Sequence, residues 1–180
     1  MVKWFIQKIL RVLLTPLRRG YLRRNGVQGD EVRKEIPNKV LLGLARDMIR
    51  EGHTAIISVK GFSMRPFLEH CRDKVLLEAP GELKVGDAVL AEIEPDHYVL
   101  HRIVEVKPDS YVILGDNCIS KEYGIRDEDI LGVMTGFVRD GKEHSVSDTG
   151  YRVYSALWLH LVPLRVLFKK GVLRLRSLGR

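Results

Sequence analysis

Cysteine is scarce: Cys71 and Cys118 are the two in 180 residues. Two thiols cannot make a disulfide framework, and alone they cannot make a zinc site. Long apolar runs are missing too. The longest uncharged stretch of the C-terminal part covers 153–164, well short of the roughly 20 residues a membrane-crossing helix needs. Acids are absent from both ends. Residues 1–24 carry seven Lys or Arg and no Asp or Glu, and so do residues 151–180. The other 16 bases and all 23 acids lie in 25–150, which has a net charge of −7. There is no internal repeat and no low-complexity tract, which excludes repeat architectures. What is present, 45% hydrophobic and 29% charged residues, belongs to a folded globular chain long enough to bury a core.

These patterns predict four parts: a basic amphipathic arm (1–24), a linker (25–38), a helix plus β domain (39–145) and a second basic amphipathic arm (146–180). In the first arm Ile6, Ile9, Leu10, Leu13 and Leu17 recur at helical spacing beside Lys3, Arg11, Arg18 and Arg19. Its opening, MVKWFIQKILRVLL, loosely resembles a signal peptide. Lys8 and Arg11 interrupt the apolar stretch, however, and no small-residue cleavage site follows, so it is read as mature sequence. The second arm sets Trp158, Leu161, Leu164, Val166, Leu167 and Phe168 beside Arg165, Lys169, Lys170, Arg174 and Arg176, with Pro163 splitting any helix. Two readings stay open for it: a helix lying on an anionic membrane surface, or a helix packed on the domain with a solvated basic face. Nucleic acid is disfavoured as a partner, because contiguous Trp, Phe and Leu surface is not what DNA contact needs. A peripheral membrane or cytoplasmic location is expected.

Between the arms, a helix is expected over 39–51, capped by Asn38 and ended by Gly52, with Leu41, Leu44, Ala45, Met48 and Ile49 on its packed face. From Thr54 the pattern turns to short β runs at 56–60, 74–78, 88–93, 98–106, 111–114 and 130–139. Turn signals such as Gly86-Asp87, Pro108-Asp109 and Asp140-Gly141 divide them. The fold class expected is mostly β: a compact antiparallel β-ribbon or coiled β-barrel domain flanked by amphipathic helices.

Three segments stand out: VKGFSMRPFL (59–68), YVLHRIVEV (98–106) and VILGDNCISKEYGI (112–125). Taken singly they are ordinary. A Ser in a turn is usually a turn residue, a His in a strand is usually packing or surface, and Gly-Asp-Asn is usually a turn. Their order and spacing change that reading. Together they resemble the superfamily of signal peptidase I and the LexA-like self-cleaving repressors, in a stretch of about 56–139. The superfamily's nucleophile box, Gly-x-Ser-Met-x-Pro, is matched by Gly61, Phe62, Ser63, Met64, Arg65 and Pro66. A second box is matched by Gly86, Asp87, Ala88 and Val89. The base precedes an Arg, here His101-Arg102. The third box is Gly115-Asp116-Asn117, and Ile130-Leu131-Gly132 follows. Bacterial signal peptidases mostly have Lys as the base. The endoplasmic-reticulum type and its bacterial relatives have His, as here.

The resemblance implies a serine endopeptidase that cleaves a protein or peptide leader with a Ser63–His101 dyad or a Ser-His-acid triad. The chemistry suits the residues, since a serine hydroxyl is a poor nucleophile until an adjacent base takes its proton, and imidazole does so near neutral pH. In the His-type relatives an Asp follows the Gly-Asp-Asn box. The matching position here is Glu122, which makes Glu122 the candidate orienting acid, with Asp116 as rival and no acid as the third option. The hydroxyl residue that many signal peptidases carry two positions before the nucleophile is Gly61 here. Backbone N–H groups around Ser63 would then have to form the oxyanion hole, while Phe62, Met64 and Pro66 belong to the same turn, Met64 and Pro66 as shapers of it. Cys118 beside the site is read as packing. His97 and His101 would lie roughly 13 Å apart on one strand, so no metal is expected, and no other cofactor. Two alternatives are carried. One is a self-cleaving repressor-like regulator, weakened by the short N-terminal part and the lack of an Ala-Gly cleavage dipeptide. The other is a catalytically inactive binding module of the same fold.

Overall fold

A computed structural model describes residues 38–178. Among these residues the protein is mostly β, an eight-stranded antiparallel sheet with three α-helices. Helix α1 (Asn38–Arg50) ends where the sequence predicts. Gly52 takes φ +84°, and the N–H groups of Gly52 and His53 bond back to the carbonyls of Ile49 and Met48. Its packed face is narrower than expected. Ala45 and Ile49 are buried and Leu42 packs against the same core, whereas Leu44 and Met48 stay exposed.

The strands are β1 (Ala55–Ser58), β2 (Lys74–Glu78), β3 (Ala88–Glu94), β4 (His97–Lys107), β5 (Ser110–Leu114), β6 (Glu122–Ile125), β7 (Ile130–Arg139) and β8 (Lys142–Ser145). They run in the order β1-β2-β7-β3-β4-β5-β6, with β8 on β7. All pairings are antiparallel, most of them between sequence neighbours. The β7–β8 hairpin turns on Asp140 and Gly141, both at positive φ. An Asp-Gly pair tolerates that geometry, and its twist matches the flanking strands.

Strand β3 is covered on both faces. Ala88 and Leu90 join a core cluster with Ile49, Val75, Leu77, Met134 and Phe137, while Val89 and Ala91 join another with Ile103, Ile113 and Ile130. The first cluster also takes Ala45 and Ile49 of α1, so helix covers one face of β3, while the second is built mainly from strand residues.

The C-terminal part is two helices, α2 (Thr149–His160) and α3 (Val162–Leu178). Pro163 sits in the first turn of α3, where its missing N–H costs nothing. Helix α2 belongs to the domain core rather than to a separate arm. Tyr151, Tyr154 and Trp158 are buried, and Phe67 stacks on Tyr154 at 4.7 Å between centroids. The opposite side leaves Val153, Leu157, Leu164, Leu167 and Phe168 exposed. The expected arm at 1–24 lies outside the described residues. Among those described, no helix is long and apolar enough to cross a membrane.

Candidate active site

The turn that follows β1 carries Ser63. It is closed from below by a buried carboxylate. Asp73 is fully buried and accepts from Arg72 Nε at 2.8 Å and Nη2 at 2.7 Å, from Arg139 Nε at 3.1 Å and Nη2 at 2.9 Å, and from the Glu69 N–H. Arg139 Nη2 also donates to the Phe67 carbonyl at 2.5 Å. Burial alone would raise the Asp73 pKa, but the two guanidinium groups outweigh it and hold the carboxyl at about 2. Met64 and Pro66 are buried inside this loop, as turn-shaping residues should be. Phe62 is exposed, with Arg65 over its ring at 4.4 Å. Gly61 takes φ +92°, and its N–H donates to His70 Nδ1 at 2.9 Å.

His101 comes from β4, opposite Val89 of β3. The neighbouring Arg102 faces Leu114, the last residue of β5. That register delivers the Gly115-Asp116-Asn117 turn directly beside both residues. Arg102 is buried and donates from Nε and Nη2 to the two carboxylate oxygens of Asp116, at 3.0 and 2.9 Å. Its Nη1 donates to the Gly86 carbonyl, the Tyr151 hydroxyl and Ser155 Oγ. Tyr154 donates to Asp116 Oδ2 at 2.8 Å, and Trp158 Nε1 donates to the Asp116 carbonyl at 2.9 Å. Burial disfavours the Arg102 cation, yet Asp116 more than compensates and raises its pKa.

The serine turn, His101 and the third box meet at Gly115. A Cβ placed there would stand 2.8 Å from His101 Nε2, 2.9 Å from the Ser63 carbonyl oxygen and 2.6 Å from Cys118 Sγ. Only a residue without a side chain fits between the serine turn and the imidazole. Asn117 then clamps the serine turn. Its N–H donates to the Ser63 carbonyl at 2.6 Å and its Nδ2 to the Phe62 carbonyl at 3.1 Å. None of these bonds uses the N–H of Ser63 itself. Lys169 of α3 in turn holds Asn117, donating to its main-chain carbonyl at 2.6 Å and to its Oδ1. Burial and the nearby Arg165 push the Lys169 ammonium down to about 8.

His101 is 5% exposed. Burial pushes its imidazole down to about 4, with Asp116 acting the other way. Its Nε2 lies 3.9 Å from Cys118 Sγ, and its Nδ1 is buried with no hydrogen-bond partner. Neither expected orienting acid is therefore bonded to the imidazole. Asp116 is committed to Arg102 and Tyr154. Glu122 opens β6, opposite Ile113 of β5, and makes no hydrogen bond to His101. His97 is exposed at the start of β4, 3.9 Å from Glu94.

The structure brings the turn of Gly61, Phe62, Ser63, Met64 and Pro66, His101 and the Gly115–Asn117 turn together, without a hydrogen bond between Ser63 Oγ and His101 among the described residues. Sequence reasoning missed Tyr154, Trp158 and Lys169, which hold the Gly115–Asn117 turn from α2 and α3. They sit 38 to 52 positions from the residues they bond, and nothing in a basic, apolar arm sets them apart. Comparison with family models, curated proteins and solved structures finds no match to this chain.

Proposed function

We propose that the chain is a serine endopeptidase acting on a protein or peptide leader, with Ser63 as nucleophile and His101 as base in a dyad. The observation that carries this reading is the meeting of the serine turn and His101 Nε2 against Gly115. Ser63 Oγ attacks the scissile carbonyl, and His101 Nε2 takes the hydroxyl proton and later returns it to the leaving amine. The proton of the neutral ring then sits on Nδ1. The uncommitted Ser63 N–H can donate to the oxyanion. Asp116 acts through Arg102 and the turn, as scaffold. One observation favours the inactive binding module as a second reading: an imidazole whose Nδ1 bonds to nothing lacks the partner that usually fixes a catalytic histidine.

Labelling with a serine-directed acylating probe separates the two. The protease reading expects Ser63 to be labelled, at a rate that depends on neutral His101. The rate should rise as pH climbs through about 4 and stay flat towards 7, because a pKa lowered by burial keeps the ring neutral throughout that range. An acid limb near the ordinary imidazole value of about 6.5 would contradict the buried base. No labelling of Ser63 would leave the binding module.

We also propose contact with an anionic membrane surface. On α3 the exposed Leu164, Leu167 and Phe168 accompany exposed Lys170 and Arg174, the composition of a helix that lies in an interface. Changing Lys170 and Arg174 to Gln should weaken partitioning onto phosphatidylserine vesicles by about 1 kcal/mol each. Unchanged partitioning in a sedimentation assay would remove the electrostatic part.

A further inference from the structure

The inner side of α3 carries charge that the chemistry above does not use. Arg165 is 4% exposed, and its guanidinium lies over the Trp158 ring, 4.7 Å from the centroid. Its Nε and Nη1 are shut off from water and bond to nothing. One turn later, Lys169 reaches only neutral acceptors, the two oxygens of Asn117. Arg102 is a third cation nearby. Asp116, the acid that acts on Arg102 and Arg165, has both oxygens taken by Arg102 and Tyr154. Among the described residues no ion pair engages Arg165 or Lys169. Glu122 is close enough to act on Cys118 but is paired with neither cation.

Arg102 and Arg165 thus share one carboxylate, and Lys169 pairs with none among the described residues. Buried guanidinium nitrogens without acceptors are costly, and the cost is reduced when an anion supplies them. We propose that Arg165 and Lys169 form a receptor for a carboxylate of the bound peptide, an acidic side chain or a free C-terminus, beside the Asn117–Cys118 turn. This assignment rests on the endopeptidase reading. Position favours the peptide over a lipid phosphate. Lys169 bonds Asn117, which itself bonds the carbonyls of Phe62 and Ser63, so an anion held there lies next to the nucleophile. The exposed apolar residues of α3, Leu164 and Leu167, flank the opposite side of the helix. Lys169 is half-buried, and Arg165, one turn earlier on the helix, is buried.

Two measurements test it. Trp4→Phe leaves Trp158 as the sole tryptophan, so its emission reports on Arg165 in the full chain. Sodium acetate, replacing chloride at constant ionic strength, should change that emission saturably. Arg165→Gln should raise the half-saturating concentration by about 10-fold, and Lys169→Gln should do the same should the first variant fold poorly. No acetate-specific change, or one unaltered in both variants, overturns the receptor. Saturation by inorganic phosphate but not by acetate overturns the carboxylate assignment. In the second measurement, peptides paired as Asp and Asn at each position flanking the cut should differ in KM by about 10-fold, with the ratio falling to near one in Lys169→Gln. Equal KM values in the native chain overturn the peptide as source. A chain that cuts no peptide fails the endopeptidase reading instead, and the acetate titration still decides the receptor.

Discussion

Ser63→Ala is expected to lower peptide cleavage by at least about 10⁴-fold, since a dyad that loses its nucleophile keeps only the catalysis supplied by binding and the oxyanion donor. The expectation is sharper than usual because a rival nucleophile stands nearby. Cys118 Sγ lies 3.9 Å from the same His101 Nε2, and a thiol attacks through its thiolate. Burial pushes the Cys118 pKa up, while Lys169 and Arg165 only partly oppose it. The thiolate is therefore the disfavoured form, and Cys118→Ala should keep most of the activity. The assay is initial rates on a quenched-fluorescence peptide mixture for the single and double variants, each checked for an unchanged melting temperature. Full activity in Ser63→Ala would end the serine reading. A residual rate that vanishes in the double variant would hand the role to the thiol.

Asp116→Ala is expected to be the most damaging substitution for stability, at about 3–5 kcal/mol. Removing this carboxylate strands a buried guanidinium and leaves the Tyr154 hydroxyl without its acceptor. Arg102 would keep Gly86, Tyr151 and Ser155, none of which carries the compensating charge. Taking out both partners should cost less than the sum of the single changes. A cycle through Arg102→Met and Asp116→Ala should show coupling of about 2 kcal/mol or more. Urea unfolding midpoints measure it. A loss below about 1 kcal/mol for Asp116→Ala would show that the neutral partners and packing carry Arg102 by themselves.

The fold was legible where local chemistry agrees with tertiary need. Strands β2, β3, β4, β5 and β7 combine β-branched runs with Pro, Gly and Asp turns, and each lies within a residue or two of its sequence-based bounds. Strands β6 and β8, EYGI and KEHS, escaped because edge strands need neither alternation nor apolar residues. The face of α1 was read too broadly. Helical spacing alone cannot tell Leu44, left in solvent, from Leu42, packed on the core. At the site, the motif order picked out the serine turn and His101, which the structure brings against Gly115. The absence of an acid on His101 was not legible, because it depends on where Asp116 spends its oxygens. Arg165 was read as surface charge on a basic arm, and the helix buries it because Trp158 offers an aromatic face.

His101 and Arg102 are adjacent in β4, and adjacent strand residues point to opposite faces. One presents an imidazole to the serine turn, and the other anchors α2 and the Gly115–Asn117 turn from behind. The proposed chemistry and the scaffolding are therefore interleaved at a period of two, in a strand pinned between β3 and β5. A one-residue insertion ahead of His101 within β4 would move the imidazole into the anchor's place, and a deletion there would put the guanidinium beside the serine turn. The same change at the Asp140–Gly141 hairpin tip touches neither. Chain length in this protein is thus constrained very unevenly, with β4 the segment that can least absorb a change.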